Sequence, residues 1–241
     1  MDKPRASPPE LEAAGAPTRP ALPYVIPMAA FLALTAVEGM LPPDAGGRPG
    51  ALWYPLTYTL KVAIVTGLAW ACRSAWRDLA PPPGAGVVGL STLLGLAVTA
   101  AWVGLDGHYP TLASLGARTA FDPEMLPPVE RWAFLAVRFA GLVALVPLIE
   151  ELFWRSFLMR WVIDDEFTKV SIGRVTPAAL AATSGLFALA HPEWLPALLT
   201  GLAWAWLVWR TKSLSACVIS HATANLALGL YVIATGAWKF W

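Results

Sequence analysis

Seven stretches of this chain approach the length and apolarity of a membrane-crossing helix, and that feature limits the fold more than any other. A helix needs about 20 apolar residues to cross the hydrocarbon core, with about 17 to 25 tolerated. The stretches run approximately over residues 22–41, 52–72, 85–105, 131–154, 177–193, 195–210 and 214–235. The fourth is expected to continue as a helix past Arg155 into the interface, and the fifth is short. Pro/Gly punctuation in LPPDAGGRPG (41–50) and APPPGAG (80–86) marks turns between them. The expected fold is therefore all-α, a polytopic transmembrane bundle of seven helices, or eight if one span is masked.

Composition agrees. Hydrophobic residues make up 57% of the chain and charged residues 14%, against roughly a quarter charged in a soluble domain. A formal net charge of +1 argues against a nucleic-acid partner, which needs concentrated basic surface. Cys72 and Cys217 form neither a CxxC pair nor a disulfide framework. Residues 1–20 hold five prolines, mixed charges and no apolar run, and are expected to be a disordered tail. The apolar segment that follows has no A-x-A cleavage pattern and reads as a retained anchor. The division is a tail (1–20), N-terminal helices with an outer loop (21–130), a catalytic core (131–235) and a short tail (236–241).

Basic residues in short loops set orientation. With the N-terminus inside, the inner segments carry Lys3, Arg5, Arg19, Arg73, Arg77, Arg155, Arg160, Lys169, Arg174, Arg210 and Lys212, and the outer ones only Arg48, Arg118, Arg131 and Lys239. The expectation is N-in and C-out, in a membrane that the Ala, Gly, Pro and Trp richness suggests is a bacterial inner membrane.

An ionisable side chain at the bilayer centre costs about 2.5 to 3.5 kcal/mol even on the lenient insertion scale, so each needs a partner or a function. Glu38, Lys61 and Arg138 fit a structural reading: a Glu38–Lys61 pair, and an arginine bonded to a neighbouring helix. PLIEELFWRSF (147–157) differs, with three charges inside six residues. Residues four apart share a helix face, and Glu N-terminal to a cation is the favourable order, so Glu151 is placed to pair with Arg155. Glu150 is rotated by about 100° and has no charge three or four residues away, so it faces another helix. Pro147 removes an intrahelical hydrogen bond and is expected to kink the helix beside it. A plainer account is a charged helix end at the interface with a snorkelling arginine.

Two further constellations matter. His191 follows Phe187 by one turn and precedes Pro192, which puts it at or near a helix end. His221 and Asn225 stand four apart in an apolar span. Amide hydrolysis needs a base for water, a proton for the leaving amine and donors for the oxyanion. A desolvated carboxylate and an imidazole suit the first two roles, and N–H donors the third. Glu150 and His191 could share a water, with His221 and Asn225 as oxyanion donors. Glu150, His191 and His221 could alternatively hold a divalent metal such as zinc, although HExxH is absent from the sequence. A Cys217/His221/Asn225 set and a Ser184/His191 dyad are weaker candidates, because each lies on one helix face.

In order, EExxxR (Glu150, Glu151, Arg155), FxxxH (Phe187, His191) and HxxxN (His221, Asn225) resemble the CAAX-protease and bacteriocin-processing family of intramembrane proteases, over roughly residues 131–235. The resemblance implies a membrane bundle with a recessed site open toward the cytosol. It also implies Glu150 and His191 as the water-activating pair, His221 and Asn225 at the oxyanion, and Glu151, Arg155 and Phe187 in support. No cofactor is favoured, and zinc dependence is the alternative. The implied partners are membrane lipids and a peptide or protein substrate, with or without a lipid group. A peptide-binding or immunity protein using the same pocket is the first rival, and a transporter running through Glu38, Lys61, Arg138 and Glu150 the second.

One geometric tension stands. Counting from the inner surface at 1.5 Å per residue, His191 lies about 21 Å along its helix and His221 about 10 Å along its own.

Overall fold

The structure is a computed structural model that describes residues 20–41, 50, 53–115 and 120–240. Nearly all of the N-terminal tail, most of the 41–50 turn, four residues of the outer loop and Trp241 lie outside the described residues. Seven long helical segments are present among those described: α1 (Leu22–Glu38), α2 (Tyr54–Ala71), α3 (Ala85–Gly104), α4 (Pro128–Ile163), α5 (Pro177–Leu189), α6 (Trp194–Thr211) and α7 (Leu214–Thr235). α3, α4 and α7 are each long and apolar enough to cross a membrane, and α2 joins them if it is counted with the 3-10 helix Arg73–Leu79, bent from it by 76°. Leu93, Trp70, Leu56 and Leu60 point outward from α2 and α3 with half or more of their surface exposed, as an apolar environment would favour.

Local signals set the helix ends. Thr176 and Ser213 accept hydrogen bonds from the amides of Ala179 and Ala216 and so cap α5 and α7. α6 stops at Lys212, whose positive φ of 55° closes the turn into α7, and the Lys212 ammonium donates to the Gly173 carbonyl at 2.8 Å. α4 continues past Arg155, as expected, but Pro147 is accommodated differently from a simple kink. A π-helical turn over Gly141–Leu145 precedes it, in which the Val146 amide reaches back to the Gly141 carbonyl. In that register the next amide would serve Leu142, and Pro147 has none to give.

Two ends of the bundle can be distinguished. At the near end, Asp78 of the 3-10 helix accepts from Tyr24 (α1), Ser156 and Arg160 (both α4), and Ser215 (α7) donates to the Leu79 carbonyl at 2.6 Å. At the far end, Lys61 pairs with Glu38 and also donates to Thr35 at 3.2 Å, while Arg138 donates to the Tyr54 hydroxyl at 2.9 Å. The expected pair and the expected inter-helix arginine are therefore both in place. Between the ends, α3 packs closely on α7: a Cβ on Gly95 would stand 2.4 Å from the Ser220 carbonyl oxygen. Thr99 of α3 also donates to the Ala224 carbonyl at 2.9 Å. This close approach fixes the rotation of α7, and with it the direction in which His221 and Asn225 point.

Candidate active site

Glu150, His191, His221 and Asn225 come from α4, the α5–α6 turn and α7, and all four line one cavity of about 710 Å³. Its floor is buried: Glu150 is 7% exposed, His221 5%, and Phe187 and Trp204 2% each. Its rim is at the far end, where Gly39, Trp53 and Ala190 are exposed. None of Tyr24, Asp78, Arg160 and Lys212 at the near end borders it.

The two adjacent glutamates have separate surroundings. Glu150 faces the cavity, whereas Glu151 is fully buried and does not line it. Glu151 Oε1 accepts from Arg155 at 3.2 Å and lies 3.0 Å from His221 Nδ1. A carboxylate at that distance accepts a hydrogen bond from Nδ1–H, which leaves Nε2 on the opposite edge of the ring. Nε2 donates when the ring carries both protons and accepts when it carries one.

Aromatic faces complete this arrangement. The Trp204 ring stacks on His221 at 4.2 Å and 27°, and its indole N–H is held by Ser220 at 3.0 Å. The Arg155 guanidinium lies 4.8 Å from the Phe187 ring and 5.1 Å from the Trp204 ring. Phe187 thus packs on the arginine of one motif while preceding the histidine of another.

His191 follows the last turn of α5, and its Nδ1 is 2.7 Å from the Phe187 carbonyl. A carbonyl can only accept, so Nδ1 carries a proton, and when the ring is neutral Nε2 is the nitrogen that can serve as a base. Its ring meets Trp102 edge-on at 5.8 Å. Asn225 donates from Nδ2 to the Leu142 carbonyl at 2.7 Å, the acceptor that Pro147 leaves without an amide. One Nδ2 hydrogen is committed there, so a single N–H remains for an oxyanion.

The depth mismatch between the imidazoles resolves in the length of α5. Its 13 residues extend about 20 Å, short of the roughly 30 Å hydrocarbon core. The turn Ala190–Pro192 lines the cavity, where non-helical backbone within a membrane is tolerated. Both rings border the same cavity.

The weaker candidates separate from this site. Cys217 is buried, lies off the cavity and donates to the Trp204 carbonyl at 3.4 Å; Ser184 is also buried and off the cavity, packed against Gly201. Among the described residues, no three His, Cys, Asp or Glu side chains converge closely enough to hold a metal ion. The alternative ligand set Glu150, His191 and His221 shares a cavity without forming a coordination shell. Sequence reasoning missed Trp204, Trp102 and the Leu142 carbonyl; the apolar context of both tryptophans offers no signal that would single them out.

Residues 132–227, from early α4 into α7, match a family model described as Rce1-like, type II CAAX prenyl endopeptidase Rce1-like. The matched segment contains every residue of the three motifs. Comparison with curated proteins and with solved structures returns no match.

Proposed function

We propose that this chain, whose residues 132–227 match the Rce1-like type II CAAX prenyl endopeptidase family model, is an intramembrane endopeptidase acting from the cavity bordered by Glu150, His191, His221 and Asn225. The observation that carries this reading is the meeting of those four side chains on one buried, polar-floored cavity. In the reaction, Glu150 and His191 Nε2 take up a proton of water as its oxygen bonds to the scissile carbonyl carbon. The oxyanion receives the remaining Asn225 N–H and, when the ring is doubly protonated, His221 Nε2–H. The C–N bond then breaks, and the proton held by the acid–base pair passes to the departing amine. Glu151 and Arg155 lie off the cavity and hold His221 in place, and Trp204 stacks on the same ring from the cavity floor.

Incubating the purified protein with plain and prenylated C-terminal peptides, with and without a chelator, tests the reading. Cleavage that survives chelation is expected for wild type and is lost in His191→Ala. Stoichiometric binding with no product would favour the immunity or peptide-binding rival. Proton uptake by vesicles that Glu150→Gln abolishes would favour the transporter.

Orientation is part of the proposal. The near end carries Arg73, Arg77, Arg160, Lys169, Arg174, Arg210 and Lys212, and the charge rule sets that end in the cytosol. The cavity rim then faces the outside, so the N-in expectation and a cytosolic opening cannot both hold. We retain the charge-based orientation. Gly39 is exposed on the rim and has room for a Cβ, and Cys72 is half-buried at the near end. A membrane-impermeant maleimide is expected to label Gly39→Cys in intact cells and Cys72 only after permeabilisation. The reverse pattern would invert the assignment.

A further inference from the structure

Unlike Glu150, His221 and Asn225, His191 stands outside the helices, on the turn between α5 and α6, and it is partly exposed. No helix sets the direction of its ring, so its neighbours must. The Nδ1 bond to the Phe187 carbonyl and the Phe187 ring, tilted against the imidazole at 4.6 Å, both come from the same short segment and move with it. Trp102 of α3 does not. Its ring meets His191 edge-on at 5.8 Å and 76°, from a helix that lies outside the matched residues 132–227.

Trp102 is itself pinned. Its indole N–H donates to Thr200 Oγ1 at 2.9 Å, and the Thr200 hydroxyl gives its own proton to the Pro196 carbonyl at 2.7 Å. With that proton committed, Oγ1 faces the indole as an acceptor. Thr200 is only 3% exposed and belongs to α6, the helix that follows the His191 turn. The loop leaving α3 grips the start of the same helix: Trp194 donates to the Pro110 carbonyl at 2.8 Å and meets the Tyr109 ring edge-on. α3 and its loop therefore hold α6 at two points and press one ring on the imidazole between α5 and α6.

We propose that Trp102, locked by Thr200, is a positioning residue for His191, and that it sets the imidazole so that Nε2 meets the water shared with Glu150. The inference rests on the peptidase reading above. An indole turns about two side-chain bonds, and the Nε1 bond to α6 removes that freedom. A base displaced by about 1 Å can lose about a hundredfold in rate, so a hydrogen bond one residue removed from the chemistry carries weight.

The decisive variant is Thr200→Val, which keeps the volume and the indole but removes the acceptor. It is expected to lower kcat by about ten- to a hundredfold with KM within about twofold, and Thr200→Ser should restore kcat to within about threefold of wild type. Trp102→Phe keeps a ring without the N–H and should match Thr200→Val, and the double variant should lose little more than either single. The two Thr200 variants are nearly isosteric and keep the test independent of whether Trp102→Phe folds. A second readout needs no turnover: 15N spectra of histidine-labelled protein, with His191 assigned by its loss in His191→Ala. With the ring neutral, wild type is expected to show the Nδ1–H tautomer that the Phe187 carbonyl selects. Thr200→Val should move that signal toward the average of the two tautomers and leave His221 unmoved. An unchanged His191 signal, a kcat within about twofold of wild type, or a loss confined to KM overturns the assignment. A moved signal in a protein that cleaves none of the peptides keeps the positioning and removes the peptidase, and turnover with an unmoved signal does the opposite.

Discussion

Glu150→Gln is expected to lower kcat by at least about a thousandfold while the thermal midpoint of the purified protein stays within about 3 °C of wild type. The magnitude follows from the role of the carboxylate. A positioned acid–base group contributes about 10² to 10⁴, and an amide neither accepts the proton of water nor keeps the charge. Stability is spared because the substitution is isosteric and removes a charge from a mostly apolar wall, where ionised groups are costly to keep. His191→Ala should lose kcat similarly, with a small further loss of stability because the ring, held at Nδ1 by a backbone carbonyl, also packs edge-on against Trp102 of α3. Paired melting curves and single-turnover assays on both variants check this. More than a tenth of wild-type kcat in Glu150→Gln would remove it from the chemistry.

The helices themselves were largely legible in the sequence, because apolar runs of membrane length punctuated by Pro and Gly leave a chain few options. The separation of Glu150 from Glu151 was legible too, since a four-residue spacing puts Arg155 under one of them and not the other. Contacts made between helices were not. His221 meets Glu151 only because α7 is rotated and held by its close approach to α3, which depends on Gly95 having no Cβ, and nothing local to α7 signals that rotation. The same holds for Trp204, whose ring acquires a role from a histidine and an arginine on two other helices. Pro147 is an intermediate case: the lost amide was readable, but the π-helical turn and the Asn225 donor that compensate for it involve a carbonyl five residues upstream and a helix far along the chain. Access to the site was the least readable feature. The near-end clamp on Asp78 closes one end of the bundle, and an acid in a loop between spans carries no mark of that role.

Glu151→Ala is expected to fail in the opposite way to Glu150→Gln, by loss of the fold. Its carboxylate is fully buried and serves Arg155 and His221 from a single oxygen, so truncation leaves a guanidinium that is 2% exposed without its anion. Removing one partner of a buried pair typically costs about 3 to 5 kcal/mol. For a chain of this size that corresponds to a fall of roughly 10 °C in thermal midpoint, with activity falling alongside it because His221 loses the acceptor that orients it. The aromatic faces of Phe187 and Trp204 on Arg155 soften the loss without replacing a carboxylate. Arg155→Met should therefore be far less damaging in the Glu151→Gln background than in wild type, and a double-mutant cycle on melting temperature would return an interaction well above the few tenths of a kcal/mol expected of independent sites. Kinetics divide the cycle further: the double variant is expected to recover stability but not kcat, since a glutamine and a methionine can fill the volume of the pair yet do not supply the carboxylate that orients His221. Additive melting losses with unchanged kcat would mean that Glu151 holds neither the helices nor the imidazole.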